Sequence, residues 1–229
     1  MKFAALAPTL AVAPIGWLRD AIPAAEAYSP DYASPPEAFF TAAERDFVDI
    51  AVSRIIPADD LGPGAREAGV TAFIDHQLAG PFGRAETWYM RGPWRSGIDE
   101  QGYQLPFTPA QLYRVSIDGI NTFVVKKYQK RFADLDGGTQ DKILDGIDKD
   151  ELRIPDVHAR AFFEMLVQNT VEGFLADPIY GGNRDFIGWK LIGFPGPRYN
   201  YVEEIEQYGQ QYGGPLVSIA GNERPSRKG

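Results

Sequence analysis

The sequence of 229 residues contains no cysteine and only two histidines, His76 and His158. Without cysteine the chain can form no disulfide, no thiolate zinc site and no cysteine-ligated iron–sulfur cluster. Two histidines are too few for a three-histidine metal site within one chain. Basic residues are also scarce, since 23 lysines and arginines face 31 acidic residues, a formal net charge of −8. An acidic surface repels phosphate backbones, so nucleic-acid binding is not expected.

Sequence motifs typical of cofactor-binding proteins and of hydrolases are also absent. The sequence contains no G-x-G-x-x-G, no phosphate-binding P-loop, no H-E-x-x-H and no G-x-S-x-G. Flavin or nicotinamide binding by this chain therefore has no support. Asp75 and His76 are neighbours on a predicted helix and would not face each other. We expect His76 to be a packed or surface residue, and His158 to begin a helix.

The chain is instead rich in turn-forming and aromatic residues. It has 24 glycines, 18 prolines, 11 tyrosines and 14 phenylalanines. Glycine and proline predict much turn and irregular structure. Aromatic side chains are enriched in protein–protein interfaces, so this composition favours a binding role over a catalytic one.

The N-terminus has the texture of an export signal. Residues 3–18 are apolar, follow the single basic residue Lys2 and are too few for a membrane-spanning helix of about 20 residues. Ala25 and Ala27 form an A-x-A pattern typical of a cleavage site. We expect four parts: a signal-like or retained N-terminal arm at 1–27, a linker at 28–40, a helical domain at 41–201 and an extension at 202–229.

Helical periodicity and capping signals dominate the middle of the chain. Thr41 with Glu44, and Thr108 with Gln111, have the spacing of capping boxes, and Pro109 suits a first helical position. Helices are predicted from Thr41 to before Pro57, at 66–78, 85–90, 108–130, 139–149 and 157–175, with a short one near 203–208. No alternating strand pattern is found. The predicted fold is mainly α, an irregular helical domain with long Gly/Pro/aromatic-rich loops and extended termini.

Two loops stand out. Residues 80–107 show little periodicity beyond the short helix predicted at 85–90, and in residues 177–200 glycines alternate with aromatic residues and the long-helix pattern ends. In one interpretation glycine lets the backbone approach a partner while aromatic residues anchor it. In the other, the loop at 177–200 folds back on its own helices, with its aromatic residues in the core. The predicted partner-interface residues are Trp88, Tyr89, Trp94, Tyr103, Tyr180, Gly181, Gly182, Asn183, Phe186, Trp189, Phe194 and Tyr199.

A long series of short segments in a fixed order runs through residues 38–201. The segments are 55–59, 67–70, 73–75, 77–78, 80–82, 89–90, 92–93, 101–104, 112–114, 162–164, 168–170, 172–174, 177–183, 188–190, 193–196 and Tyr199. This series resembles the small (third, or gamma) subunit of gluconate 2-dehydrogenase. The resemblance is specific because of the length of the series, not because of any one segment.

The resemblance implies a non-catalytic subunit of a membrane-associated complex that oxidises a sugar, sugar alcohol or sugar acid. Its partners would be a large dehydrogenase subunit that holds FAD and a multihaem cytochrome c subunit, while this chain holds no cofactor, metal or catalytic residue. The small subunit would stabilise the flavoprotein and help export it by the twin-arginine (Tat) route to the periplasm, attached to the inner membrane through the complex. The family's signal carries two adjacent arginines, whereas only Lys2 precedes the apolar stretch here.

Two other hypotheses follow from the residues. The chain could be an independent periplasmic hydrolase that uses Asp59 or Asp75 with a histidine, which predicts a pocket with converging carboxylates. It could also be a scaffold docked on the membrane, with residues 3–18 as an uncleaved anchor.

Overall fold

A computed structural model of the chain describes residues 39–95, 97–98, 101–154, 157–198, 202, 205–210 and 215–221. All of these belong to one compact unit, Pro35–Gly229. The helices are α1 (Ala42–Ile55), α2 (Val70–Ala79), α3 (Pro109–Tyr128), α4 (Gly137–Asp148), α5 (Ala159–Leu175) and α6 (Ile187–Ile192). The described ranges contain no β-strand, so the predicted mainly α class is confirmed. The predicted arm at 1–27 lies outside the described residues and stays a prediction.

The two capping boxes are confirmed. The hydroxyl of Thr41 accepts from the Glu44 amide at the start of α1, and the Glu44 carboxylate accepts from the Thr41 amide. Thr108 and Gln111 make the same pair of hydrogen bonds at the start of α3, with Pro109 at the first helical position. Each box satisfies backbone amides that have no partner within the helix, which fixes where the helix begins.

Helix α5 is the centre of the fold, because it packs against all five other helices. Its Phe162 lies edge-on to Tyr113 of α3, with ring centroids 5.0 Å apart. Phe47 of α1 packs against Phe132, which lies in a short 3-10 helix, Phe132–Asp134, with centroids 4.6 Å apart. These four rings are buried, so α5 is held from several sides and can position the segments that cover it.

Some predicted boundaries are wrong. Residues 81–87 form turns instead of a helix at 85–90, because Ala85 has φ +55°, in the left-handed region that an α-helix excludes. Helix α2 begins at Val70 rather than residue 66, since Gly69 with φ +76° interrupts the backbone there. Helix α4 begins at Gly137, two residues early, because Asp136 accepts from the Thr139 amide and caps it.

The segment after α5 is more helical than the sequence predicts. It contains two 3-10 helices, Pro178–Tyr180 and Arg184–Phe186, and then the missed helix α6. Six residues are too few to show a 3.6-residue period, which is why the pattern did not reveal α6. Helix α5 itself begins at Ala159, close to the predicted start. The predicted helix at 203–208 falls partly outside the described residues, and residues 205–210 form turns and irregular chain.

Candidate partner-docking surface

A recess of about 510 Å³ lies between α5 and the segment formed by residues 82–105. The segment contributes aromatic and aliphatic side chains, and α5 contributes one face of its first three turns. The lining residues are Phe82, Trp88, Gly97, Ile98, Gly102, Tyr103, Gln104, Leu105, Arg160, Ala161, Glu164, Met165, Gln168 and Asn169. The long loop noted in the sequence is therefore one wall of a concave site whose other wall is the central helix.

The aromatic wall is built from three rings in series. Phe82 lies edge-on to Trp88 at 5.8 Å between centroids, and Trp88 lies edge-on to Tyr103 at 5.1 Å. The Tyr103 hydroxyl donates to the carbonyl of Phe107 over 2.7 Å, just before α3 begins. Partial burial raises the pKa of Tyr103 to about 12, so this phenol stays a neutral donor at physiological pH. The wall is thus tied to α3 and keeps a fixed shape.

Asn169 of α5 forms the polar floor of the recess. Its side chain is only 3% exposed, and its Nδ2 donates to the Tyr113 hydroxyl over 2.9 Å. Tyr113 is fully buried, and burial raises the pKa of its phenol far above the usual value. A buried neutral phenol therefore holds the amide of Asn169 in one orientation.

The helix α5 also carries the polar rim. Arg160 donates to Glu164 over 2.9 Å, and Gln168 donates to Glu172 over 2.8 Å, both one turn apart. Glu172 lines a second recess together with Phe73, Gln77, Leu175, Ala176, Asp177 and Tyr180. The two recesses therefore adjoin along α5 through the pair formed by Gln168 and Glu172.

Glycines in the segment after α5 allow close approach to this chain's own backbone. A Cβ atom on Gly182 would lie 2.2 Å from the Gly173 carbonyl oxygen, and one on Gly188 would lie 2.0 Å from that of Phe174. Gly181, with φ +92°, faces the His76 ring, which a Cβ there would meet at 2.9 Å. The segment is thereby pressed against the C-terminal turns of α5 and against α2.

The aromatic residues of the same segment form a packed stack. Trp189 lies between Phe186 and Phe194, at 5.4 and 5.0 Å between ring centroids. Its Nε1 donates to the carbonyl of Leu175 over 2.7 Å, and it is buried. Asn183 is also buried and bonds the Ala176 carbonyl and the Gly188 amide. Asn183 and Trp189 therefore pack against this chain's own backbone, as in the interpretation in which the loop folds back on its own helices.

A buried carboxylate fastens the C-terminal part of the chain to this segment. Asp177 accepts from the Ser218 hydroxyl and from the Ile219 amide, each over 2.7 Å, and from the Ile179 amide over 3.1 Å. We call this contact the Asp177 latch. Residues 218 and 220–221 form one side of a groove whose other side is 178–186. Residues 218–221 of the predicted extension thus pack onto the helical domain.

The predicted interface residues therefore occupy two places on α5. Trp88 and Tyr103 meet at the recess, with the exposed Tyr89 beside them and Trp94 half-buried. Tyr180, Gly181, Gly182, Asn183, Phe186, Trp189 and Phe194 lie at its C-terminal end. Tyr199 lies outside the described residues. Their role as a partner interface stays a prediction.

The residues of the hydrolase hypothesis have structural roles. Asp75 is buried and accepts from Arg45 and from the Phe40 amide. Asp59 caps a turn through the Leu61 amide over 2.8 Å. His158 is exposed at the start of α5, with its ring 5.6 Å from that of Phe107. Within the described residues, no group of three or more histidines and acidic residues is placed to hold a metal ion.

The sequence interpretation missed Asn169, Met165 and Ile98 as parts of the site. One signal was present, because Asn169 and its neighbour Thr170 are polar residues on the largely apolar face that α5 turns inward. Ile98 belongs to a stretch without periodicity, where pattern carries no information. Among the helices of the described ranges, none is both long and apolar enough to span a membrane.

A family profile described as gluconate 2-dehydrogenase subunit 3 matches residues 42–196. The match runs from the first residue of α1 to just beyond the end of α6, so it includes both places on α5 described above. No curated protein and no solved structure matches the chain.

Proposed function

The chain belongs to the gluconate 2-dehydrogenase subunit 3 family, and we propose that it is the non-catalytic small subunit of a flavin-dependent dehydrogenase complex. The family match over all six helices carries this proposal. The complex would oxidise a sugar, sugar alcohol or sugar acid in its FAD-bearing large subunit and pass electrons to a multihaem cytochrome c subunit. FAD and haem c would belong to those partners.

The surface of the chain supports a binding role. Tyr89 is 81% exposed next to the recess-lining Trp88, and Ile98 is 66% exposed at the recess itself. Exposed apolar side chains around a concave site are typical of an interface that is buried in an assembly. We therefore place the contact with the large subunit at the recess, with α5 at its centre.

Export is the second part of the proposal. The small subunit would accompany the folded flavoprotein by the Tat route, and the complex would stay on the periplasmic side of the inner membrane. The apolar residues 3–18 support this address. Cell fractionation and N-terminal sequencing of the mature chain test it: a periplasmic chain that lacks residues 1–27 is expected, and a cytoplasmic chain that begins at Met1 would contradict it.

Co-expression tests the assembly. The tagged full chain is expressed with a large flavoprotein dehydrogenase subunit from the same genome, and FAD absorbance and dehydrogenase activity are followed through affinity purification. We expect the flavoprotein to co-purify, and its soluble yield to fall when the small subunit is omitted. Equal yield without the small subunit, together with no co-purification, would rule the proposal out.

A pair of matched variants locates the contact. Tyr89→Asp should lower the amount of co-purified flavoprotein at least tenfold, because it puts a charge into a buried interface. Leu61→Asp is the control, since Leu61 is 79% exposed in a turn that lines neither recess. Equal loss in both variants would mean that the contact is not at Tyr89.

A further inference from the structure

We propose that the recess between α5 and residues 82–105 receives one aromatic side chain of the large subunit, whose polar tip donates a hydrogen bond to Asn169. This inference rests on the proposed function and names the chemistry of the contact. The occupant is a tyrosine or a tryptophan, because each joins a flat apolar body to a single donor group.

The floor of the recess supplies the acceptor. The Nδ2 of Asn169 is engaged with Tyr113, and among the described residues the amide oxygen has no partner. This oxygen keeps some exposed surface. Because Asn169 lines the recess, a ligand in the recess can reach it. A ligand that covered this oxygen without supplying a donor would leave it desolvated and unpaired, at a cost in free energy, so the floor selects a ligand with a donor.

The walls select an apolar body above that donor. Trp88 and Ile98 line the recess from the segment 82–105, and Met165 lines it from α5. Aromatic rings pack favourably edge-on against other rings and against the thioether of methionine. Arg160 and Glu164, the charged residues of the lining, already pair with each other. A charged side chain placed against the apolar walls would therefore lose its hydration without a free partner of opposite charge, whereas tyrosine and tryptophan lose little.

The surroundings of the recess point to a protein rather than a small molecule. A metabolite within about 510 Å³ would leave Tyr89 in water, outside the recess. A protein surface that inserts one anchor covers Tyr89 and the outer part of Ile98 at the same time. Interfaces draw most of their binding energy from a few anchors of this kind, and tryptophan and tyrosine are prominent among them.

Filling the recess from inside provides the first test. Ala161→Trp adds an indole from α5 without removing any contact, and Ala43→Trp is the matched control on an exposed position of α1. Affinity for the flavoprotein is measured with full-length chains by surface plasmon resonance. We expect Ala161→Trp to weaken binding at least a hundredfold, as loss of a central anchor does, and Ala43→Trp to bind as the unaltered chain does.

Asn169→Ala tests the hydrogen bond, with about a tenfold loss of affinity expected. Because this variant also removes the partner of Tyr113, its denaturation midpoint is measured alongside. A third variant, Ile98→p-benzoylphenylalanine, is photo-crosslinked in the complex. The crosslinked peptide of the large subunit is expected to contain a tyrosine or a tryptophan.

The outcomes separate the two proposals. If the flavoprotein binds Ala161→Trp as tightly as the unaltered chain, the recess holds no anchor, although the chain remains a subunit. If the flavoprotein does not bind the unaltered chain, the proposed function and this inference both fall. Calorimetric binding of gluconate that Ala161→Trp abolishes would assign the recess to a small ligand and overturn the inference.

Discussion

Asp75 joins the start of α1 to α2. Asp75 as a whole residue is 3% exposed, and its two carboxylate oxygens accept from the Phe40 amide over 2.7 Å and from Arg45. A carboxylate so enclosed is stable only while its partners stay in place. One acidic residue that the sequence offered as a catalytic candidate is therefore a structural link.

Asp75→Ala should lower the free energy of unfolding by about 2 kcal/mol, because a buried backbone amide loses its acceptor and Arg45 loses its partner. Asp141→Ala is the control, since Asp141 also pairs with an arginine of α1, Arg54, but on an exposed surface. An exposed pair contributes about 0–1 kcal/mol. Urea denaturation of both variants measures the difference, and equal losses would show that burial of Asp75 is unimportant.

At the scale of the helix, the sequence predicts the structure where hydrogen bonds between residues close in the chain determine it. The capping boxes at Thr41 and Thr108 depend on residues three positions apart, so they could be predicted from sequence. Helix α6 could not be, because it forms where Phe174, Gly188 and Trp189 meet in space. The left-handed backbone conformation of Ala85 could not be predicted either, because no neighbouring residue indicates it.

Two glycines in different elements should respond to the same substitution with opposite signs. Gly182→Ala should destabilise the fold by about 2 kcal/mol or more, because the new Cβ would lie 2.2 Å from the Gly173 carbonyl oxygen. Gly138→Ala should stabilise it by about 0.5–1 kcal/mol, because Gly138 lies in α4 and a Cβ there makes only an ordinary contact at 3.4 Å.

Thermal or urea denaturation of the two glycine variants measures the two changes in stability. A neutral Gly182→Ala would mean that the segment after α5 can move away from the helix at little cost. That result would also weaken the interpretation of the glycines as residues required for close approach.

At the scale of the whole molecule, a chain without cysteine relies on packing around α5 to hold its loops. Part of the candidate site was predictable, since Trp88 and Tyr103 were recognised as aromatic residues in a long loop. Their place in the wall of a recess depends on residues about 60 to 80 positions away in α5, which sequence spacing does not reveal. For the same reason the sequence could not distinguish the exposed Tyr89 from the buried Trp189.

Alkaline pH should weaken the fold in part through Tyr103. Its pKa is raised to about 12 by burial, whereas tyrosine in the unfolded chain loses its proton near pH ~10. Below the unfolded-state pKa, the protonated Tyr103 makes its full contribution to the free energy of unfolding. As pH rises from about 10 to about 12 the unfolded chain loses this proton first, so the contribution is lost. Denaturant midpoints across that window should fall less steeply for Tyr103→Phe than for the unaltered chain. Parallel curves would contradict this role for Tyr103.

The Asp177 latch also bears on the order in which the molecule is completed during synthesis. Asp177 finds its partners 41 and 42 positions later, in Ser218 and Ile219. Until the ribosome has released that stretch, the carboxylate is solvated by water and the groove along 178–186 has only one side. The helices can pack before that moment, because the last helix of the described ranges ends at Ile192 and its Trp189 packs against Phe194, both well before Ser218. A nascent chain therefore has its α5 recess before its C-terminal groove, and a partner that binds during translation would meet the recess first.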